Sequence, residues 1–331
     1  MDLSLLENYL NSIKQPSFRY KQICSSYFTG KFKSFLDMSD LSKPLRSELQ
    51  QNISYLSFSP TKTSESTKTK KVLLKLEDNN SIESVLMDYD DWLTVCVSCQ
   101  VGCPLNCSFC ATGKMGFKRN LSVVEILDQI SFWQQQVYPK YVGRLVFMGM
   151  GEPFLNWDNL IAALDIIRSP LGFNIGSRKI SISTAGVVDG IYKFTSLNSE
   201  INLAISLHSA NQSVRQKIMP IALKYPLSDL KKALDFYTAK TKRQVFLEYA
   251  LMKNINDSPA DLRCLVDFMR SNQLFYLNLI PLNPVENGVI PSDNSTLIAF
   301  SQKLTKLGIN YSLRRSLGQN ITAACGQLAT N

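Results

Sequence analysis

Apolar and polar positions change their period along this chain, and the changes mark its parts. Over residues 1–50, Leu5, Tyr9 and Ile13 recur at helical spacing, and so do Ile23 and Phe28, which predicts short helices. Residues 57–71, SFSPTKTSESTKTKK, are rich in Ser, Thr and Lys and predict a loop or linker. Residues 72–76 and 82–88 alternate like paired strands, with Asp78, Asn79 and Asn80 as their turn. From residue 92 a strand–helix rhythm takes over. Strand-like runs lie at 92–99, 144–150, 179–184, 202–208, 244–252 and 275–280, and a last strand-like piece lies at 309–315. Helical patterns lie between them, for example at 122–137, 157–168, 228–238 and 259–271.

Six strands alternating with helices predict parallel βαβ units, enough for an α/β fold of the partial (β/α)6 barrel kind. The expected organisation is a helical N-terminal domain over 1–56, a linker and β-hairpin over 57–91, and the barrel over 92–331. Strand period assigns faces. Asn202, Ala204, Ser206 and His208 share a small polar face that fits a lumen, while Leu203, Ile205 and Leu207 fit packing under helices. In the first barrel strand Thr94, Cys96 and Ser98 take the lumen face, and Leu93, Val95, Val97 and Cys99 the outer one. Reacting groups of such barrels sit at the C-terminal strand ends. There the sequence puts a cysteine-rich loop, Gly149-Met150-Gly151-Glu152-Pro153, Ser183-Thr184, Ser206-Leu207-His208 and Pro281-Leu282-Asn283-Pro284.

Composition narrows the class. Hydrophobic content of 45% and charged content of 19% fit a soluble globular enzyme. No apolar run is long enough to span a membrane, and the start has no secretory pattern, so a cytoplasmic location is expected. The eight cysteines then read as thiols, metal ligands or catalytic groups. The net charge of +9 suits a polyanion, nucleic acid before membrane. Lys14, Arg19, Lys21, Lys31 and Lys33, interleaved with Phe18, Tyr20 and Phe35, form an RNA-touching module on one reading and a solvated basic face on the other.

Cys103, Cys107 and Cys110 form C-x3-C-x2-C directly after the first barrel strand. Three thiolates can hold three irons of a four-iron, four-sulfur cubane and leave the fourth iron open to a small molecule, whereas an electron-transfer cluster takes four cysteines. Zinc is the alternative, with Cys96, Cys99 or Cys325 as fourth ligand.

The loop resembles the signature of radical S-adenosylmethionine enzymes. The longer stretch CVSCQVGCPLNCSFCATGKMGFKRNL is similar to the bacterial adenine-C2 RNA methyltransferases, and so, in family order, are GMGEP, SISTAGVVDGI, LAISLHSAN, NLIPLNP and AACGQLA. The likeness spans residues 80–330. It implies a radical SAM barrel with one 4Fe–4S cluster on Cys103, Cys107 and Cys110, and two molecules of S-adenosylmethionine (AdoMet) per turnover. An external electron donor, 23S rRNA as substrate and, in some members, tRNA are implied with it.

It further implies that Cys325 carries the methyl group and that Cys96 releases the product, leaving a disulfide. Glu83 would take the C2 proton. Gly151 and Glu152 would meet AdoMet, with Ser183, Ser206, Leu207, His208 and Asn283 on its nucleoside side. Met87-Asp88-Tyr89 departs from the Pro-containing pattern of many relatives, and Cys99 stands where they commonly have serine. Rival readings are C8 methylation by the sister family and a non-catalytic, metal-stabilised RNA-binding protein.

Overall fold

The computed structural model describes residues 1–285, 288–314 and 317–329. Three helices open the chain: α1 (Leu3–Ser12), α2 (Ser17–Thr29) and α3 (Lys43–Asn52). They enclose a core of their own in which Leu6, Leu10, Ile23, Tyr27, Phe35, Met38 and Leu49 are almost fully buried. The buried stripe of α1 is Leu6 and Leu10, one step from the expected Leu5, Tyr9 and Ile13; Leu5 is 52% exposed. Both sets have helical spacing, and packing of the three helices decides between them.

Three antiparallel strands follow, β1 (Phe58–Ser66), β2 (Thr69–Leu76) and β3 (Ser81–Asp88). The first corrects the expected linker. Phe58–Ser66 pairs along its length with β2, from Phe58 opposite Leu76 to Ser66 opposite Thr69. Its side chains are mostly exposed, so an edge strand with a wet face needs no apolar alternation, and its periodicity is silent.

The barrel begins at β4 (Leu93–Cys96), which pairs antiparallel with β3. Then come β5 (Gln100–Gly102), the short α4 (Ala111–Lys114) and β6 (Phe117–Asn120), the strands forming a ribbon around the cysteine loop. Strand–helix units continue with α5 (Val123–Val137), β7 (Val142–Phe147), α6 (Trp157–Arg168), β8 (Ile180–Thr184), α7 (Val188–Ser196) and β9 (Asn202–Ser206). The chain goes on through α8 (Gln212–Ile218), α9 (Ile221–Lys224), α10 (Leu227–Thr241), β10 (Val245–Leu251), α11 (Pro259–Arg270), β11 (Phe275–Pro281), α12 (Asn294–Lys306) and β12 (Tyr311–Leu313).

The sheet order is β1-β2-β3-β4-β7-β8-β9-β10-β11-β12, parallel from β4 onward. The six expected strands are thus present, β12 adds a seventh, and the hairpin strands extend the open edge. Outward residues such as Leu145, Ile182, Leu203, Ile205, Leu247 and Leu277 are fully buried beneath the helices. Each stabilises the wall by roughly 1.5–3 kcal/mol.

Local signals fix the helix starts. Ser122 and Glu125 form a reciprocal cap on α5, and Ser258 and Asp261 do the same on α11, where Pro259 fills the first turn. The helical module is seated on α5. Buried Asp128 receives the Tyr27 hydroxyl, the Ser57 amide and the Met1 ammonium group. Gly30 ends α2 at φ +69°, and a Cβ there would lie 2.5 Å from the Gln134 carbonyl carbon. Only glycine permits that approach.

Candidate active site

A cavity of about 170 Å3 lies at the C-terminal strand ends. Cys103, Cys107 and Cys110 line one side; Gly151, Glu152, Ser183, Ser206, His208, Asn283 and Cys325 complete it. Sequence reasoning named all of these residues. Leu207 is the exception among the expected cofactor contacts. It points away from the lumen into the packed wall, fully buried, and does not line the cavity.

The cysteine loop is held by its neighbours. The Cys103 amide donates to the Gly116 carbonyl (2.9 Å), and Gly102 at φ +71° could carry no Cβ beside that carbonyl. The Ser108 amide donates to the Ile218 carbonyl at the end of α8 (2.9 Å). Burial pushes the Cys103 thiol up to about 12 and raises Cys107 too, and each is raised further by the nearby Cys110. The three thiols are therefore close enough to feel one another. Among the described residues, no three His, Cys, Asp or Glu side chains converge tightly enough for a single metal ion. A thiol-only donor set arranged around an open cavity fits a larger cluster, whose binding would deprotonate the thiols.

The side expected to meet AdoMet is built from backbone-fixed groups. Glu152 accepts the Phe154 and Ala185 amides at 3.1 and 2.7 Å, and burial pushes its carboxyl up to about 7. Its amide donates to Gln100 Oε1 at 2.8 Å. A Cβ on Gly149 would meet the Val97 carbonyl at 2.7 Å, and one on Gly151, at φ +102°, would meet Gln100 at 2.5 Å. The glycines of this turn are therefore required by the segment 97–100 pressed against them. His208 sits at φ +51°, and its Nδ1 accepts the Ala250 amide at 3.0 Å. That bond leaves the proton on Nε2, and burial lowers the pKa to about 3, so the ring is a neutral donor.

Beneath these strand ends lies Arg215 of α8, fully buried. Its guanidinium donates to the carbonyls of Ala185, Leu207 and Ser206 at 2.7, 3.1 and 3.2 Å, tying the ends of β8 and β9 together.

Cys325 also borders a second cavity of about 50 Å3, whose wall it shares with Cys96, Tyr89, Met148 and Arg314. Cys96 thus faces the lumen as strand period predicted, while Cys99 is buried with its sulfur 3.6 Å from the Met150 carbonyl. Burial pushes Cys96 up to about 12. Cys325 is exposed at the cavity wall; the protein packed around it still raises its thiol, and the Arg314 guanidinium opposes the shift. All eight cysteines are free thiols, so the disulfide implied for the end of a turnover is not formed here.

The segment carrying Cys325 is stitched to three elements. Asn283 Nδ2 donates to the Cys325 carbonyl (3.0 Å), and Gln327 reaches the Pro284 carbonyl (2.9 Å). The Ala111 amide reaches the Gly326 carbonyl (2.8 Å), and the Thr112 hydroxyl the Leu328 carbonyl (2.6 Å). The Ala329 amide donates to Glu83 (2.9 Å).

Glu83 is neither at the cavity nor solvent-facing. It is buried, paired with Lys71 at 2.7 Å, and lines neither cavity. The basic residues beside the cysteine loop are also committed elsewhere. Arg119 bridges Asp78 and Glu125 (2.6 and 2.8 Å), and Lys118 reaches Asn80 (2.9 Å).

Two charged lining residues escaped the sequence reading, Glu248 and Arg314. They pair at 3.3 Å, and Asn278 donates to Glu248 at 2.9 Å. An acid in the lumen phase of the apolar run QVFLEYALM was a readable signal for Glu248.

Comparison with known proteins bears on this site. Residues 97–263 match the model of the radical SAM superfamily, and residues 1–54 match that of the ribosomal RNA large subunit methyltransferase N-terminal domain. The chain is 42% identical to a Dictyoglomus turgidum protein named "Probable dual-specificity RNA methyltransferase RlmN", covering 99% of this chain and 94% of that one. A Thermoanaerobacter protein of the same name is 40% identical over 99% and 96%. The crystal structure of a radical SAM methyltransferase from Sphaerobacter thermophilus superposes with a TM-score of 0.93, at 35% identity, over 100% of this chain and 98% of that one.

Proposed function

The chain belongs to the RlmN family of radical SAM RNA methyltransferases, and on that premise we propose that it methylates C2 of an adenine in 23S rRNA and in tRNA, with Cys325 as methyl carrier and Cys96 as releasing thiol. The observation that carries this reading is the position of Cys325 on the wall of both cavities, with the cluster cysteines in one and Cys96 in the other.

Cys103, Cys107 and Cys110 would hold the cluster, which when bound supplies the electron that splits AdoMet into methionine and a 5′-deoxyadenosyl radical. Glu152 would pair with the ammonium group of AdoMet, and His208 Nε2, Ser183 and Ser206 would face its nucleoside. Ionised Glu152 suits that partner, and an incoming cation favours ionisation.

Adenine C2 is electron-poor, so direct methyl-cation transfer has no nucleophile to use. In the proposed course the Cys325 thiolate would first attack the methyl carbon of one AdoMet, forming S-methylcysteine and displacing S-adenosylhomocysteine. One hydrogen atom would then pass from that methyl group to the radical supplied by cleavage of a second AdoMet, and the carbon radical left on the Cys325 sulfur would add to C2. Loss of the C2 proton and of one electron, the electron returning to the cluster, would leave a thioether between enzyme and base. Cys96 then attacks the Cys325 sulfur. The carbon–sulfur bond breaks, its carbon takes a proton to become the methyl product, and the two sulfurs join.

For Glu83 to accept the C2 proton, the C-terminal segment must move off it, because Lys71 and the Ala329 amide hold its carboxylate. The Arg314 charge favours the Cys325 thiolate needed at the first step.

The test is anaerobic reconstitution with labelled AdoMet and either rRNA or tRNA, then nuclease digestion and mass spectrometry. 2-Methyladenosine is expected from both RNAs. 8-Methyladenosine, or a label confined to protein, overturns the reading.

A further inference from the structure

The turn between β3 and β4 carries two aromatic rings that the site described above does not use. The Tyr89 amide donates to the Trp92 carbonyl at 3.1 Å, and Asp90 adopts a left-handed φ of +66°. This tight turn stacks the Tyr89 and Trp92 rings, with centroids 6.0 Å and planes 25° apart. The Arg144 guanidinium on β7 lies 4.0 Å from the centre of the Trp92 ring. Tyr89 is part of the wall of the smaller cavity with Cys96 and Cys325, while Trp92 is 38% exposed and Arg144 is exposed. A row of flat groups thus runs from solvent to the two reactive thiols.

We propose that Tyr89, Trp92 and Arg144 form a stacking platform for the unpaired base that adjoins the target adenine. The inference rests on the RNA-methyltransferase reading and adds to it how the strand is gripped. Bases splayed from RNA stack on aromatic faces and on guanidinium planes, largely without regard to sequence.

The charges of the turn sharpen the choice of occupant. Asp90 is paired with Lys68 at 2.5 Å, Asp88 accepts the Asp90 amide at 2.9 Å, and Asp91 is exposed. Three carboxylates repel phosphate, so the turn offers ring faces to a base and little to the backbone. Its share of binding is therefore insensitive to salt, unlike phosphate contacts.

Intrinsic fluorescence of the full-length chain, titrated with short single-stranded oligoadenylate, tests this. Trp133 is 1% exposed and Trp157 is half-buried, so stacking on Trp92 dominates any quenching. Quenching by oligoadenylate but not by duplex RNA is expected. Trp92→Phe keeps a ring and is expected to keep affinity while losing the signal. Trp92→Ala and Arg144→Ala are expected to raise KM for RNA about tenfold, with kcat, the salt slope of binding, the melting temperature and RNA-free AdoMet cleavage unchanged. An unaltered KM in Trp92→Ala, or equal quenching by duplex, overturns the platform. Quenching by oligoadenylate in an enzyme that methylates no RNA would sink the functional reading and leave the base site standing.

Discussion

At the glycine-turn side of the larger cavity, the polar groups are fixed by backbone. Glu152 is held by two amides, His208 by the Ala250 amide, and the strand ends beneath them by Arg215. Toward the smaller cavity, side chains hold side chains, as in Arg314, which lines both cavities, with Glu248 and Glu248 with Asn278, and the Cys96 thiol stands in a largely apolar wall. The contrast teaches a division of labour. A ligand of constant shape suits rigid backbone donors and acceptors. A thiol proposed to be methylated, joined to a base and freed again suits a looser wall, where room can be made.

The sharpest way to break this contrast is at the residue both cavities share. Cys325→Ala is expected to abolish RNA methylation while iron and sulfide content stay at wild-type levels. Retained methylation would refute the carrier role, and Cys107→Ala should lose cluster absorbance and methylation together. Cys96→Ala is the next largest change. It should stop the enzyme after a single covalent event, visible as an RNA–protein adduct on a denaturing gel; free methylated RNA at normal yield would remove Cys96 from the scheme.

Arg215→Met probes the rigid side. It strips three buried carbonyls of their donor and should cost about 3 kcal/mol in urea unfolding. A cost near zero would mean that the strand ends need no clamp.

Glu152 gives the smaller, pH-dependent effect. Burial raises its carboxyl from the usual 4.5 to about 7, so the ligand-free folded chain binds more protons there than the unfolded chain does. That contribution favours folding fully below the unfolded value and is lost as pH rises through about 7, ~3 kcal/mol across the window. Glu152→Gln should flatten this part of the stability profile between about pH 5 and about pH 8; an unchanged profile would show that the carboxylate is solvated. AdoMet affinity should run the other way, rising as Glu152 ionises.

Glu83→Gln is expected to have the least effect, below about tenfold in kcat, if the carboxylate only anchors the Ala329 amide. A loss above about 100-fold, with Cys325 still methylated, would identify it as the base.

What the sequence disclosed follows the physics of each element. Strands of the barrel announce themselves because burial on one face and a lumen on the other force alternation, as at Asn202–Ser206. Cys96 could be aimed from period alone for the same reason. The edge strand Phe58–Ser66 was hidden because its partners are backbone groups and water. Leu207, which the SLH likeness implies near AdoMet, packs its side chain in the wall because strand period turns it away from the face its neighbours share. Arg314 directly follows the short, half-exposed strand Tyr311–Leu313, and its meaning arises only when it meets Glu248 across the sheet.

The run from Cys96 to Gln100 reaches from the proposed releasing thiol, behind the glycine turn, to the threshold of the cysteine loop. An insertion or deletion of one residue there would put Gln100 out of step with the paired Cys96 and lodge a side chain where Gly149 and Gly151 now receive bare backbone. Length, more than residue identity, is therefore the quantity this run cannot vary, and chimeras that swap it between relatives should tolerate many substitutions but no change of spacing.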